Sequence, residues 1–237
     1  MRAFVDLHCH TSASFDCVAS PETVVAAAVR RGLTHLAITD HDRIDGALRA
    51  RDAAPAGLTV LVGEEIKTAD GDLIALFLER AVAPHQSAQA TIEQVRAQGG
   101  LVGIPHPFDR FRGSMLNDPR LQAMGGLVDW VETHNARIVG SGNERAVAFA
   151  AEMGLPGVAV SDAHSGLEVG VAYSILDGDP STPEGLLAAL PRVELTRGRA
   201  TYFVRLWTPL AKGIQRARGN GRIRPVTDHQ GPGGGPA

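Results

Sequence analysis

The sequence predicts an α/β fold built on a parallel sheet, either open or closed into a barrel. Three observations carry this expectation. Apolar runs alternate with helix-like segments nearly to the end of the 237 residues, the rhythm of parallel β/α units. Caps and glycines punctuate those helices. Six of the apolar runs end in metal-competent residues, and in barrels of this type active sites gather at the carboxyl ends of the strands.

Taken in order, residues 3–8 read as the first strand. Side chains alternate along a strand, so His8 and His10 of Asp6-Leu7-His8-Cys9-His10 share one face and Cys9 turns away as a packed thiol. Helix 21–31 has Ser20 as its cap, Pro21 at its first position and Gly32 after Arg30-Arg31. Strand 34–39 ends in Asp40-His41, with Asp40 expected to orient His41 or its loop. Helix 44–53 follows. Strand 58–66 contains Glu64-Glu65, with Glu64 on the opposite face. Strand 73–78 and helix 87–98, stopped by Gly99-Gly100, lead into strand 101–105 and His106. A helix is expected over 117–124 and a strand over 127–132, with Glu132 and His134 at its end. Helix 142–153 stops at Gly154. Strand 157–161 runs into Asp162 and His164, and strand 170–176 and helix 183–190 complete the alternation. Six of the nine histidines thus fall on one rim, which a merely solvated rim would not require.

Tyr202, Phe203, Leu206, Trp207, Leu210 and Ile214 have helical spacing, which predicts a closing helix over 202–217 packed on the domain. The expected domain is 1–218. The Gly- and Pro-rich remainder, 219–237, is expected to be disordered.

Composition narrows the function. A chain that is 44% hydrophobic with a formal charge of -3 suits one globular domain with a sizeable core. Its overall charge gives no push towards nucleic acid or membrane. Cys9 and Cys17 imply no disulfide framework, and a cytoplasmic location is the default expectation. The opening residues resemble neither a signal peptide nor a membrane span.

Imidazoles with carboxylates, and no cysteine cluster, suit Zn, Mn or Fe in an open catalytic site. Two or three ions close together lower the pKa of a shared water and neutralise charge on a phosphoryl group. Metal-assisted hydrolysis of a phosphoester follows from ligand type and location, and cleavage of a C–N or carboxylic ester bond is open to the same chemistry.

The motifs Asp-Leu-His-Cys-His-Thr-Ser (6–12), Ile-Thr-Asp-His-Asp (38–42), Gly-Glu-Glu-Ile (63–66), Pro-His-Pro (105–107), Val-Glu-Thr-His-Asn (131–135) and Ser-Asp-Ala-His (161–164) occur in one order. In that ordered set the chain resembles the PHP (polymerase and histidinol phosphatase) superfamily of metal-dependent phosphoesterases, over about residues 3–176 and in its short, single-domain bacterial form. The resemblance implies a distorted (β/α)7 barrel with two or three divalent ions. By the family pattern His8, His10, Glu65 and Asp162 hold the first, Glu65 bridges to a second on His106, and Asp16, His41 and His164 hold a third. His134 is expected to ligate the second ion, to hydrogen-bond the phosphate or to face the substrate. Asp72, where relatives often carry histidine, is not counted as a ligand. Glu65, Asp162 and His134 are the expected catalytic residues. Arg110 and Arg112, whose forks suit phosphate, and Asn135 are expected to touch a small phosphorylated substrate. A nuclease acting on single-stranded nucleic acid and a metal- or phosphate-binding regulatory module are the alternatives.

Overall fold

The computed structural model describes residues 1–109 and 126–223, and the backbone alone for 202–206. The expected helix 117–124 and the loop arginines Arg110 and Arg112 lie outside the described residues. Among those described, nine strands form one sheet in the order β7-β6-β5-β4-β3-β2-β1-β8-β9. The strands are β1 (Arg2–Asp6), β2 (His35–Ile38), β3 (Thr59–Lys67), β4 (Asp72–Leu76), β5 (Leu101–Ile104), β6 (Trp130–Asn135), β7 (Gly157–Val160), β8 (Tyr173–Asp177) and β9 (Glu194–Thr196). The helices are α1 (Pro21–Arg31), α2 (Asp45–Ala53), α3 (Ala88–Arg96), α4 (Gly142–Met153), α5 (Pro183–Ala189) and α6 (Tyr202–Ala217).

The parallel expectation holds for two blocks, β1-β2-β3 and β5-β6-β7. It fails at β4, which is antiparallel to both neighbours. Only a tight turn links β3 to β4: Thr68 N donates to Gly71 O at 3.0 Å, and Gly71 has φ 138°, open to glycine. So short a link can only reverse the chain. β8 is likewise antiparallel to β1, and β9 to β8. β6 begins at Trp130, later than the strand expected over 127–132.

The sheet closes almost into a barrel, the distorted barrel anticipated above. Side chains stitch the seam between β7 and its far neighbours. Ser174 Oγ on β8 accepts from Ala159 N and donates to Ala159 O, each at 3.0 Å. Asp6 on β1 accepts from Ser161 N at 3.0 Å and Gly170 N at 3.1 Å. Beyond the strands, His10 N donates to Ala163 O at 2.9 Å.

Two apolar layers fill the molecule. One lies between sheet and helices and includes Leu36, Ile38, Val60, Val62 and Ile104. The other includes Val5, Leu7, Ala37, Leu61, Trp130, Val158 and Val160, joined by Leu186 and Leu190. This second layer is the floor of the site. Following period-two alternation, the inward positions after Ala37, Leu61, Trp130 and Val160 bring His41, Glu65, Glu132 and Asp162 to the rim.

Candidate metal centre

β1 delivers His8 and His10 just past its last paired residue, with their Nε2 atoms 2.9 Å apart. β3 delivers Glu65 between them and the next strands. Glu65 Oε2 lies 3.3 Å from both Nε2 atoms and 3.2 Å from His41 Nδ1, while Oε1 lies 3.0 Å from His106 Nε2. One carboxylate oxygen thus serves three imidazoles and the other a fourth, the geometry of a bridging group. Asp162 Oδ1 stands 3.7 and 3.6 Å from His8 and His10. Asp16 Oδ2 lies 3.5 Å from His41 Nε2 and 3.4 Å from His164 Nε2.

Three groups of donor atoms result, each within 4.8 Å of one another: His8, His10 and Asp162; Glu65, Asp72 and His106; His10, Asp16, His41 and His164. The donor set fits divalent cations. Asp16 Oδ1 supports the fit, being buried with no hydrogen-bond partner among the described residues.

Backbone strain supports the ends of two strands. His106 has φ 28° and Asp162 φ 53°, both non-glycine residues in the left-handed region. His106 N donates to Glu132 Oε2 at 2.8 Å, which fixes one of these turns.

Behind the donors a layer of hydrogen bonds sets their orientation. His8 Nδ1 donates to Glu132 Oε1 at 2.6 Å, which orients the ring so that Nε2 faces the centre. His164 Nδ1 donates to the Asp162 carbonyl at 2.9 Å, with the same consequence. Asp40 accepts from Thr11 N, Thr11 Oγ1 and Ser14 Oγ at 2.6, 2.7 and 2.8 Å. Ser14 Oγ in turn meets His10 Nδ1 at 3.1 Å. Cys9 packs away from the site, its thiol donating to Asp6 Oδ2 at 3.3 Å.

The electrostatics follow from this crowding. Burial alone raises the Glu65 pKa, but His41 and His8, with hydrogen bonds from His10 and His106, hold it well below the carboxylate range. Burial works against protonated His8 and His41. The carboxylates outweigh it, raising His8 to about 10 through Glu132 and Glu65, and His41 to about 9 through Glu65 and Asp16. Burial and Arg137 push His164 well below its ordinary value.

Three expectations need correction. His134 is not in the centre: its Nε2 donates to Gly198 O at 2.7 Å on the segment after β9. The register of β6 against β7 shifts between Glu132 and His134, and this bulge turns Glu132 and Asn135 inward and His134 away. Asn135 is buried and donates 2.9 Å hydrogen bonds to Glu132 Oε2 and Asp162 Oδ2, so it braces the donors rather than meeting substrate. Conversely, Asp72 belongs to a donor group while pairing with Lys67 Nζ at 3.0 Å. Glu132 was visible in sequence only as a rim carboxylate, because the register shift that selects it over His134 leaves no local signal.

The centre opens into a cavity of about 430 Å³ lined also by Phe15, Arg137, Thr208, Lys212 and Arg222. Arg137 donates to Thr208 Oγ1 at 2.7 Å and pairs with Glu168 at 3.3 Å.

Comparison with known proteins agrees with this frame. The PHP domain model matches residues 6–111, and the PHP-associated model matches 140–194. An uncharacterized protein of Methanocaldococcus jannaschii is 33% identical over 147 residues, covering 55% of this chain and 81% of its own length. The chain belongs to the PHP domain family. An error-prone DNA polymerase of Cutibacterium acnes is 46% identical to this PHP domain over 120 residues, 45% of the chain but only 11% of the polymerase. A two-domain protein from Bacteroides vulgatus containing a predicted PHP-like metal-dependent phosphoesterase superposes with a TM-score of 0.72 at 19% identity, covering 84% of this chain and 65% of that one. Endonuclease Q of Pyrococcus furiosus gives 0.59 at 14% identity, covering 82% of this chain and 58% of that one. No helix among the described residues is long and apolar enough to cross a membrane.

Proposed function

We propose that this chain hydrolyses a small phosphomonoester in a centre of two or three divalent cations, Mn, Zn or Fe. The observation that carries this reading is the junction of three imidazole–carboxylate groups at the floor of one cavity, bridged by Glu65. His8, His10 and Asp162 would hold one ion, Glu65, His106 and Asp72 a second, and Asp16, His41 and His164 a third. Such ions, when bound, supply Lewis-acid charge and a nucleophile at neutral pH.

The chain's own residues do the rest. Glu132 fixes the His8 ring, and Asn135 fixes Glu132 and Asp162, so the donors need little rearrangement. Arg137, anchored by Thr208 and Glu168, presents its guanidinium at the cavity wall beside Asp162 and orients phosphoryl oxygens. His164 Nε2 is unprotonated at neutral pH, and the Asp162 carboxylate beside it takes the proton released on attack.

A second reading, a nuclease on single-stranded DNA, is raised by the match to a DNA polymerase, a protein that acts on nucleic acid. One panel decides between the two: phosphate release from phosphomonoesters and nucleotides, beside cleavage of a single-stranded oligonucleotide at two salt concentrations. Phosphomonoester turnover that disappears in His8→Ala supports the first reading. Salt-sensitive strand cleavage without it supports the second.

A further inference from the structure

The cavity mouth carries a feature that the metal frame does not use. Lys212 Nζ lies 5.4 Å and the Arg222 guanidinium 5.2 Å from the centre of the Phe15 ring. That ring lies 4.8 Å from the ring of His41, one of the donors. Two cations therefore stand around one aromatic ring, next to the centre and inside the same cavity.

The backbone that carries them is fastened to the Phe15 loop. Gln215 is buried, and its Nε2 donates to three carbonyls of the loop carrying Phe15 and Asp16: Ser12 at 2.7 Å, Ser14 at 2.9 Å and Cys17 at 2.5 Å. Asn220 Nδ2 donates to Ala13 O at 2.9 Å and Ser12 O at 3.2 Å. The start of the tail expected to be disordered is thus fastened across the loop. Lys212 and Arg222 sit on either side of these fastenings.

Direct ion pairs balance their charge only in part. Among the described residues no carboxylate forms an ion pair with Lys212, and Arg222 pairs at 3.9 Å with Asp72, a carboxylate that Lys67 already holds at 3.0 Å, while Asp42 feels its charge at longer range. Like charges gathered around one ring repel, and a bound anion relieves that cost. Both residues also lie C-terminal to the two family-model segments, which end at 111 and 194. They stand outside the segments that supply the donors and so suit discrimination between substrates.

We propose that Lys212 and Arg222, over the Phe15 ring, form a second anion subsite that selects substrates carrying another acidic group, phosphate or carboxylate, besides the phosphoryl group at the metals. The identity of the cleaved group rests on the phosphoesterase reading above, whereas the subsite rests on the cavity mouth.

The test uses Mn-loaded protein and a series of increasing charge: glycerol 3-phosphate, 3-phosphoglycerate and 2,3-bisphosphoglycerate. Selectivity is the ratio of kcat/KM values where turnover occurs and of Kd values by calorimetry where it does not. Wild type favours 2,3-bisphosphoglycerate over glycerol 3-phosphate by roughly tenfold or more, the worth of a bond to a charged group. Lys212→Ala and Arg222→Ala each lower that ratio, and the double variant brings it close to one. Lys212→Arg retains it, as does Arg30→Ala on the exposed side of α1, which controls for overall charge. 3-Phosphoglycerate grouping with the bisphosphate marks a subsite that accepts carboxylate, and grouping with glycerol 3-phosphate marks one that requires phosphate. A wild-type ratio near one, or a ratio unmoved in the double variant, overturns the proposal. Selective binding without phosphate release sinks the phosphoesterase reading and leaves the subsite standing. Release without selectivity does the reverse.

Discussion

Glu64 and Glu65 are adjacent carboxylates on β3 with opposite fates, and the contrast can be measured. Alternation sends Glu65 into a ring of imidazoles and Glu64 to the other face, where Oε2 accepts from Val82 N at 2.9 Å and Oε1 has no hydrogen-bond partner among the described residues. Burial raises the Glu64 pKa from 4.5 to about 8, opposed by the Val82 hydrogen bond and assisted by Asp42. A raised folded-state pKa means that the folded chain holds a proton which the unfolded chain releases. The stabilisation is complete below pH 4.5 and is lost as pH rises towards 8. At about 1.4 kcal/mol per pH unit, the loss is on the order of 3–5 kcal/mol across that window. Glu64→Gln keeps an acceptor for Val82 N and cannot ionise. Urea unfolding of both proteins at pH 5, 6.5 and 8 should therefore show the variant gaining on wild type by about 3 kcal/mol between the first pH and the last. Parallel pH profiles would refute the assignment of a protonated, buried Glu64.

Glu132→Gln sets an amide N–H against the donors His106 N and Asn135 Nδ2, or against His8 Nδ1. Mn affinity should fall by about 10- to 100-fold in a competition titration, and unchanged affinity would show that His8 needs no such support. His134→Gln should leave metal content and phosphate release as in wild type, since His134 faces Gly198; loss of an ion on metal analysis would return it to the centre. Trp130→Ala opens the floor where the ring packs against Gly103 and should cost about 3–5 kcal/mol in denaturant unfolding. A cost below about 1 kcal/mol would mean that the floor refills.

Much of the candidate site's arrangement was legible because its logic is local. His8 and His10 follow from alternation at a strand end, Asp40 from its place beside His41, and the opposite faces of Glu64 and Glu65 from period two alone. What was not legible depends on distant or irregular geometry. A short turn, rather than a helix, reverses β4 and brings Asp72 to the centre. One register shift on β6 exchanges His134 for Glu132 as the inward group. Asn135 was read as a substrate contact because a buried amide bridging two carboxylates has the same local sequence as an exposed one. Gln215 and Asn220 reach loop carbonyls about two hundred residues earlier in the chain, and no periodicity in α6 announces that.

The most direct test strips the protein with chelator, returns Mn stepwise, and records bound ions per chain and phosphate release on the same samples. The account predicts no release from the stripped protein, release that climbs as ions fill the centre, and a plateau at two or three ions per chain. Two or three bound ions with no release from any phosphomonoester in the panel would contradict it.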